Sequence, residues 1–280
     1  MKNDRAEPLV SVIVSTYQRP EFLGLTLGSI VAQTYRNVET IVVSDGHDAA
    51  TEAVVSKLND PRVTYCHTPH AGFPAVPRNE GLRRSKGDFL AFCDDDDLWY
   101  PEKIAEQVPV LQEGPYGMCT TDYDYVDQYG NTLEQQNYYD DYVGPIDWRT
   151  FFHSMGFICN AAVLFTREMY EKTGDVNEDP ELRSHEDFEY WMRMLFQCEG
   201  IFLKQKFVSY RVHSGSIQRD TPWKVYRKRL ALHRILRQRL DIPAVDDLRK
   251  KSKLLAHFLF DQCPWAKKAF RRIQNRPGSG

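Results

Sequence analysis

The sequence has no run of eighteen apolar residues, so no segment reads as a membrane-spanning helix. Its first twelve residues lack a basic stretch followed by an apolar one, and do not read as a secretory signal. Six cysteines, at 66, 93, 119, 159, 198 and 263, form no CxxC pair and no zinc-like spacing. That argues for reduced thiols in a cytoplasmic protein. Internal repeats and low-complexity tracts are absent too. Net charge is small, −3, yet unevenly spread. Residues 222–276 hold 16 Lys/Arg against 4 Asp/Glu, whereas the preceding 221 residues hold 20 against 35. An acidic body therefore carries a basic C-terminal segment, and such blocks report on partners more than on fold.

What is present is an alternation. "LVSVIVS", "VETIVVS", "RVTYCH" and "DFLAFC" are short, largely apolar runs rich in β-branched or aromatic residues. Between them lie helical stretches, the first opened by Pro20, with Phe22, Leu23, Leu27, Ile30 and Val31 on one face. Strands alternating with helices predict a parallel α/β sheet. After residue 114, "MCTTDYDYVD" and "FICNAAVLFT" read as strands, "HEDFEYWMRMLFQC" as a helix and "IFLKQKFVSYRVH" as paired strands. Residues 133–147 read as a polar loop. From Thr221 onward the pattern is helical and basic, broken at Pro243 and Pro264.

One stretch resists explanation by packing: Asp94–Asp97, four consecutive carboxylates directly after the fourth strand. Such a cluster repels itself unless a cation is near. Hard oxygen donors suit Mg²⁺ or Mn²⁺ that shares its shell with phosphates. A helix start whose dipole favours Asp explains the same residues without a ligand. Two other strand ends point to the same sheet edge, where open α/β sheets bind ligands. Ser15, Tyr17 and Arg19 follow the first strand, and Asp45 follows the second.

Taken together, "SVIVSTYQRPEFL", "SIVAQTYRNVETIVVSDG", "PRNEGLRRSKGDFLAFCDDDDLWYPEKI" and "HEDFEYWMRML" resemble the family-2 glycosyltransferases of GT-A fold, over about residues 8–215. The resemblance implies a mostly parallel, Rossmann-like sheet flanked by helices. It implies a transferase domain over 1–220, with a nucleotide-sugar half at about 8–114 and an acceptor half at about 115–220. A basic helical extension follows over 221–280. By position in the motifs, Ser15, Tyr17 and Asp45 would hold the nucleoside, with Arg19 near the diphosphate. Asp94 and Asp95 would face the ribose and donor sugar. Asp96, with Asp94 and His213, would hold Mn²⁺ or Mg²⁺. Arg78 and Asn79 would support the donor site or cap a helix. Glu186 and Asp187 match the family's acidic pair, with Asp187 as the base that deprotonates the acceptor. Ser44 stands where many relatives have a first Asp.

The processive Gln-x-x-Arg-Trp signature is not found, so the expected reaction adds one sugar, with inversion, to a glycan or lipid-linked acceptor. The expected donor is a UDP-sugar, and nucleic acid is not an expected partner. A sugar-phosphate nucleotidyltransferase is disfavoured because no glycine follows the first strand before Gly24. An inactive binding relative is disfavoured because Asp94, Asp96 and Asp187 all stand. The basic segment with its apolar residues either packs its apolar face on the acidic body or makes peripheral contact with an anionic inner membrane face.

Overall fold

The computed structural model describes residues 7–134, 142–154, 158–213 and 221–261, without the side chains of 222 and 256–261. Its chain divides into two units, 1–215 and 216–280.

Strand β1 (Val10–Thr16) is buried at every position, as an unbroken β-branched run must be when both faces are covered. Helix α1 (Pro20–Val31) starts on Pro20, whose missing N–H is harmless in a first turn. Leu23, Leu27 and Ile30 enter the core, while Phe22 and Val31 are only half-buried. The alternation continues through β2 (Val38–Asp45), α2 (Ala49–Leu58), β3 (Val63–Thr68), α3 (Ala75–Arg84) and β4 (Phe89–Asp94). β2 and β3 extend the sheet outward from β1, all parallel. α3 then carries the chain back, so that β4 pairs with the other side of β1. Between β1 and β4 the strand order reverses, and the C-terminal ends of these strands open a crevice.

The remaining elements of the first unit are β5 (Leu98–Trp99), α4 (Lys103–Glu113), β6 (Met118–Val126), β7 (Gly144–Ile146), α5 (Trp148–Ser154), β8 (Leu164–Thr166), α6 (Arg167–Thr173), α7 (Glu186–Leu195) and β9 (Gly200–Arg211). The sheet runs β3-β2-β1-β4-β8-β6-β9-β5, with β7 also on β9. β8 is antiparallel to both β4 and β6, so this half is mixed. Two local expectations are corrected. "FICNAAVLFT" is not one strand: a 3₁₀ turn at Asn160–Ala162 leaves only three residues for β8. "IFLKQKFVSYRVH" is not a strand pair either. β9 runs unbroken because it has three partners: β6 along its length, β7 at its start and β5 near its end. Its polar middle is accommodated where the β6 register slips between Thr121 and Tyr123.

In the second unit, Thr221 caps α8 (Pro222–Arg239) by accepting from Lys224 N, and α9 (Ala244–Asp261) follows Pro243. Asp247 joins the two helices, lying 2.9 Å from His233 Nε2, 3.0 Å from Arg237 Nη1 and 3.1 Å from Lys251 Nζ. Among the described residues, no helix is long and apolar enough to cross a membrane, and five cysteines carry free thiols. Residues 135–141 of the expected acceptor loop and 262–276 of the basic segment lie outside the described residues.

Candidate active site

The four carboxylates are sorted by alternation. Asp95 and Asp97 point inward and are buried, whereas Asp94 and Asp96 are half-buried. Asp97 is 1% exposed, and its Oδ1 accepts from Arg211 N at 3.1 Å. Burial, then Asp96 and Asp94, push its carboxyl well above the usual carboxylate range. Thr26 Oγ1, on α1, donates to the carbonyls of Asp95 (2.9 Å) and Asp97 (2.8 Å) and so clamps the loop. Asp97 and Thr26 are therefore structural posts beneath the loop.

Asp95 Oδ2 accepts from Thr16 Oγ1 at 2.7 Å and Tyr17 N at 3.4 Å. Burial raises this carboxyl to about 7, against the pull of Arg19 and with the push of Asp96. Arg19 Nη1 lies 3.0 Å from Asp95 Oδ1 and 2.7 Å from Asp96 Oδ2. His213 Nε2 lies 2.9 Å from that same Asp96 oxygen. Arg211 Nε donates to the Asp96 carbonyl at 2.9 Å, with its guanidinium 5.2 Å from the Phe22 ring. The ring centroids of the half-buried Phe22 and His213 are 4.9 Å apart.

Beside the loop opens a cleft of about 520 Å³, lined in part by Tyr17, Asp45, His47, His67 and His70. Tyr17 and His70 stack, with centroids 4.6 Å apart and planes 16° apart. Asp45 accepts from Ala71 N at 2.6 Å and from Gly72 N at 2.7 Å, which fixes the 70–72 turn against the end of β2. Gly46 is left-handed (φ +98°), and a Cβ there would come 3.2 Å from His70 Cβ. Glycine is required for the close approach. Ser15 lies opposite Asp94 in the β1–β4 register and is buried.

Arg78, on α3, is 5% exposed and bridges two carboxylates: Nη2 to Asp94 Oδ1 at 2.7 Å and Nη1 to Glu186 Oε1 at 2.9 Å. It ties the acid loop to the start of α7. Asn160 Nδ2 is 3.5 Å from the same Asp94 oxygen. Asn79 turns away, exchanging bonds with the Val176 backbone and donating to Glu178. Asp187 opens the first turn of α7, and its Oδ1 accepts from Phe188 N at 2.7 Å. Burial and then Glu186 push its carboxyl up to about 7, while Arg78 pulls it down. Glu186 is pinned by Arg78.

The structure thus brings Arg19, Asp95, Asp96 and His213 into one network and Arg78, Asp94 and Glu186 into a second, the two joined by the backbone of the acid loop. Tyr17 and Asp45 form the adjoining cleft. Sequence reasoning missed Thr26, His70, Asn160 and Arg211. Of these, Arg211 carried a signal, sitting two residues before His213 at a strand end. Among the described residues, no group of three or more His, Cys, Asp or Glu converges as a complete metal cage. The donor set still fits an open site, since Mg²⁺-like ions take one or two carboxylates and fill the shell with water and phosphate.

A parallel β3-β2-β1-β4 half with an acidic loop at its switch point, joined through antiparallel β8 to a mixed second half, is the GT-A architecture. Residues 11–174 match the sequence pattern of Glycosyl transferase family 2, and the chain belongs to that family of transferases. WfaP of Escherichia coli, a UDP-Glc:α-D-GlcNAc-diphosphoundecaprenol β-1,3-glucosyltransferase, is 26% identical over 212 residues, covering 75% of this chain and 79% of WfaP. An uncharacterized glycosyltransferase of Rickettsia typhi, RT0329, is 27% identical over 77% of this chain and 67% of its own length. Other relatives are much longer: the match to a Rickettsia bellii glycosyltransferase covers 46% of this chain and 19% of that protein. Among solved structures, S. aureus TarS 1–349 in complex with UDP-GlcNAc superposes with a TM-score of 0.69 at 19% identity, over 90% of this chain and 72% of that one. PcManGT of Pyrobaculum calidifontis, in complex with GDP-Man and Mn²⁺, gives 0.63 at 17% identity, over 98% and 77%.

Proposed function

We propose that this chain moves one sugar from a UDP-sugar to a hydroxyl of a glycan or lipid-linked acceptor, with inversion and with help from a divalent metal. The observation that carries the reading is the convergence of three strand ends and the α7 start on one crevice. Tyr17 and His70 offer flat rings to a nucleobase, and Asp45 sits beside them as an acceptor for a base N–H. Asp94 faces the ribose and sugar, and the buried Asp95 stands behind it, held by Thr16, Tyr17 N and Arg19. Asp96, with Asp94 and His213, suits Mn²⁺ or Mg²⁺, which when bound would neutralise the departing diphosphate. Asp187 takes the proton from the acceptor hydroxyl as its oxygen attacks the anomeric carbon from the side opposite the diphosphate. Glu186, held by Arg78, keeps the start of α7 in place and keeps the Asp187 proton affinity high.

The UDP-sugar donor is supported by the activity of WfaP and by the UDP-GlcNAc complex of TarS, and the lipid-linked acceptor by the activity of WfaP. A lipid-linked acceptor is consistent with peripheral contact between the basic second unit and an anionic membrane. A panel of nucleotide sugars, each incubated with Mn²⁺, tests the reading through slow donor hydrolysis. UDP-sugars are expected to turn over with release of UDP. Hydrolysis of none of the panel, or hydrolysis indifferent to the metal, would overturn it.

A further inference from the structure

The acid loop already holds a cation of its own. A single guanidinium nitrogen, Arg19 Nη1, bridges Asp95 Oδ1 and Asp96 Oδ2 at 3.0 and 2.7 Å. Asp96 is the carboxylate that would hold the divalent ion in the proposed function. An Mg²⁺-like ion needs its carboxylate oxygen at about 2.0–2.1 Å. The Asp96 oxygen that would turn to it is already shared by Arg19 and, at 2.9 Å, by His213. A guanidinium and a dication cannot both occupy that oxygen's open side.

Arg19 is built to be removable. It sits just before α1, at the half-in position ahead of Pro20, and its side chain is 30% exposed. Asp95, by contrast, is held from the other side by Thr16 Oγ1 and Tyr17 N. The carboxylate is fixed and the cation is on a long, partly solvated arm. A diphosphate offers a guanidinium paired anionic oxygens that match its fork.

We propose that Arg19 is a resident counter-cation of the Asp95–Asp96 pair, displaced onto the donor diphosphate when the metal arrives, so that metal and nucleotide bind cooperatively. The inference rests on the reading of Asp96 as metal ligand. Linkage makes the effect reciprocal: whatever the nucleotide does for metal affinity, the metal does for nucleotide affinity.

The test is Mn²⁺ binding to the full chain, followed by the free-ion electron paramagnetic resonance signal, with and without UDP and against a protein-free UDP blank. Wild type is expected to bind Mn²⁺ ~10-fold more tightly with UDP than without, within the usual range of such couplings. Arg19→Gln is expected to bind Mn²⁺ more tightly than wild type in the absence of UDP and to show a smaller UDP enhancement, the part owed to phosphate oxygens on the metal remaining. Arg19→Lys keeps a cation and is expected to retain part of the enhancement. Asp96→Ala is expected to lose Mn²⁺ binding in both conditions. If Arg19→Gln leaves nucleotide-free affinity unchanged or weaker while Asp96→Ala abolishes binding, the counter-cation is overturned and the metal ligand stands. If Asp96→Ala binds Mn²⁺ as wild type does, both fall. Equal wild-type affinity with and without UDP overturns the inference without any variant, should Arg19→Gln fail to fold.

Discussion

Asp187 and Lys103 show how burial sets the chemistry of single residues. A general base must be deprotonated to accept a proton, and Asp187 is pushed up to about 7 by burial and by Glu186. Turnover is therefore expected to fall as pH drops below about 7. Asp187→Asn should lower turnover by ~10²-fold or more while leaving UDP affinity nearly unchanged, and should lose that acid limb. A pH–rate profile beside calorimetric UDP titration checks both, and near-normal turnover would remove Asp187 from the role. Lys103 is fully buried, donating to Gln107 Oε1 at 2.8 Å with its ammonium 4.0 Å from the Trp99 ring centroid. Burial lowers its pKa from 10.5 to about 8. Between those values the unfolded chain binds the proton and the folded one does not, so this residue makes stability rise with pH. Lys103→Met should be more stable than wild type at pH 7, by an advantage that shrinks as pH rises from about 8 to 10.5. Urea unfolding at several pH values reads this directly, and a constant difference would mean that Lys103 does not titrate there.

At the scale of elements, the site depends on how closely α3 lies on the sheet. Gly81 faces β1, and a Cβ there would be 2.3 Å from Ile13 Cγ2. Gly81→Val should force α3 away and cost ~1–3 kcal/mol or more by overpacking, measurable by urea unfolding. Since α3 also carries Arg78, the same change should loosen the Asp94–Arg78–Glu186 bridge and lower UDP-sugar turnover beyond the loss of folded protein. A fully active Gly81→Val would show that the helix can shift without moving Arg78. β9 illustrates the reverse dependence. Its C-terminal end supplies Arg211 N to Asp97, and His213 follows two residues later to meet Asp96. A hairpin in this stretch would have separated these groups from the loop.

At the scale of the whole molecule, charge is divided between the units. In the second unit, Val245, Leu248 and Leu255 are exposed at helical spacing on α9, with Arg249, Lys251 and Lys253 also exposed. This is the amphipathic pattern of a surface-seeking helix. The full chain is expected to sediment with anionic liposomes at low salt and to be released at high salt, each basic residue near the surface adding roughly 1 kcal/mol. Equal binding to neutral vesicles, or none to anionic ones, would dismiss the electrostatic contact.

The alternation of β1 to β4 with α1 to α3 was legible in the residues, because the buried strands β1, β2 and β4 are largely apolar runs, the edge strand β3 is rich in β-branched residues, and the helices are amphipathic. The acid loop was legible as an anomaly, since four adjacent carboxylates have no reason in packing. The sequence alone also located the resemblance that named the family. Tertiary structure alone decided which carboxylates are buried and which partners each one takes. Alternation sends Asp95 and Asp97 inward and leaves Asp94 and Asp96 toward the crevice, where Thr16, Arg19, Arg78 and His213 divide among them. Those partners are 16 to 117 residues away in sequence. The short β8 and the unbroken β9 were illegible for the same reason. A strand's limits are set by the neighbours that satisfy its backbone, and those neighbours come from elsewhere in the chain.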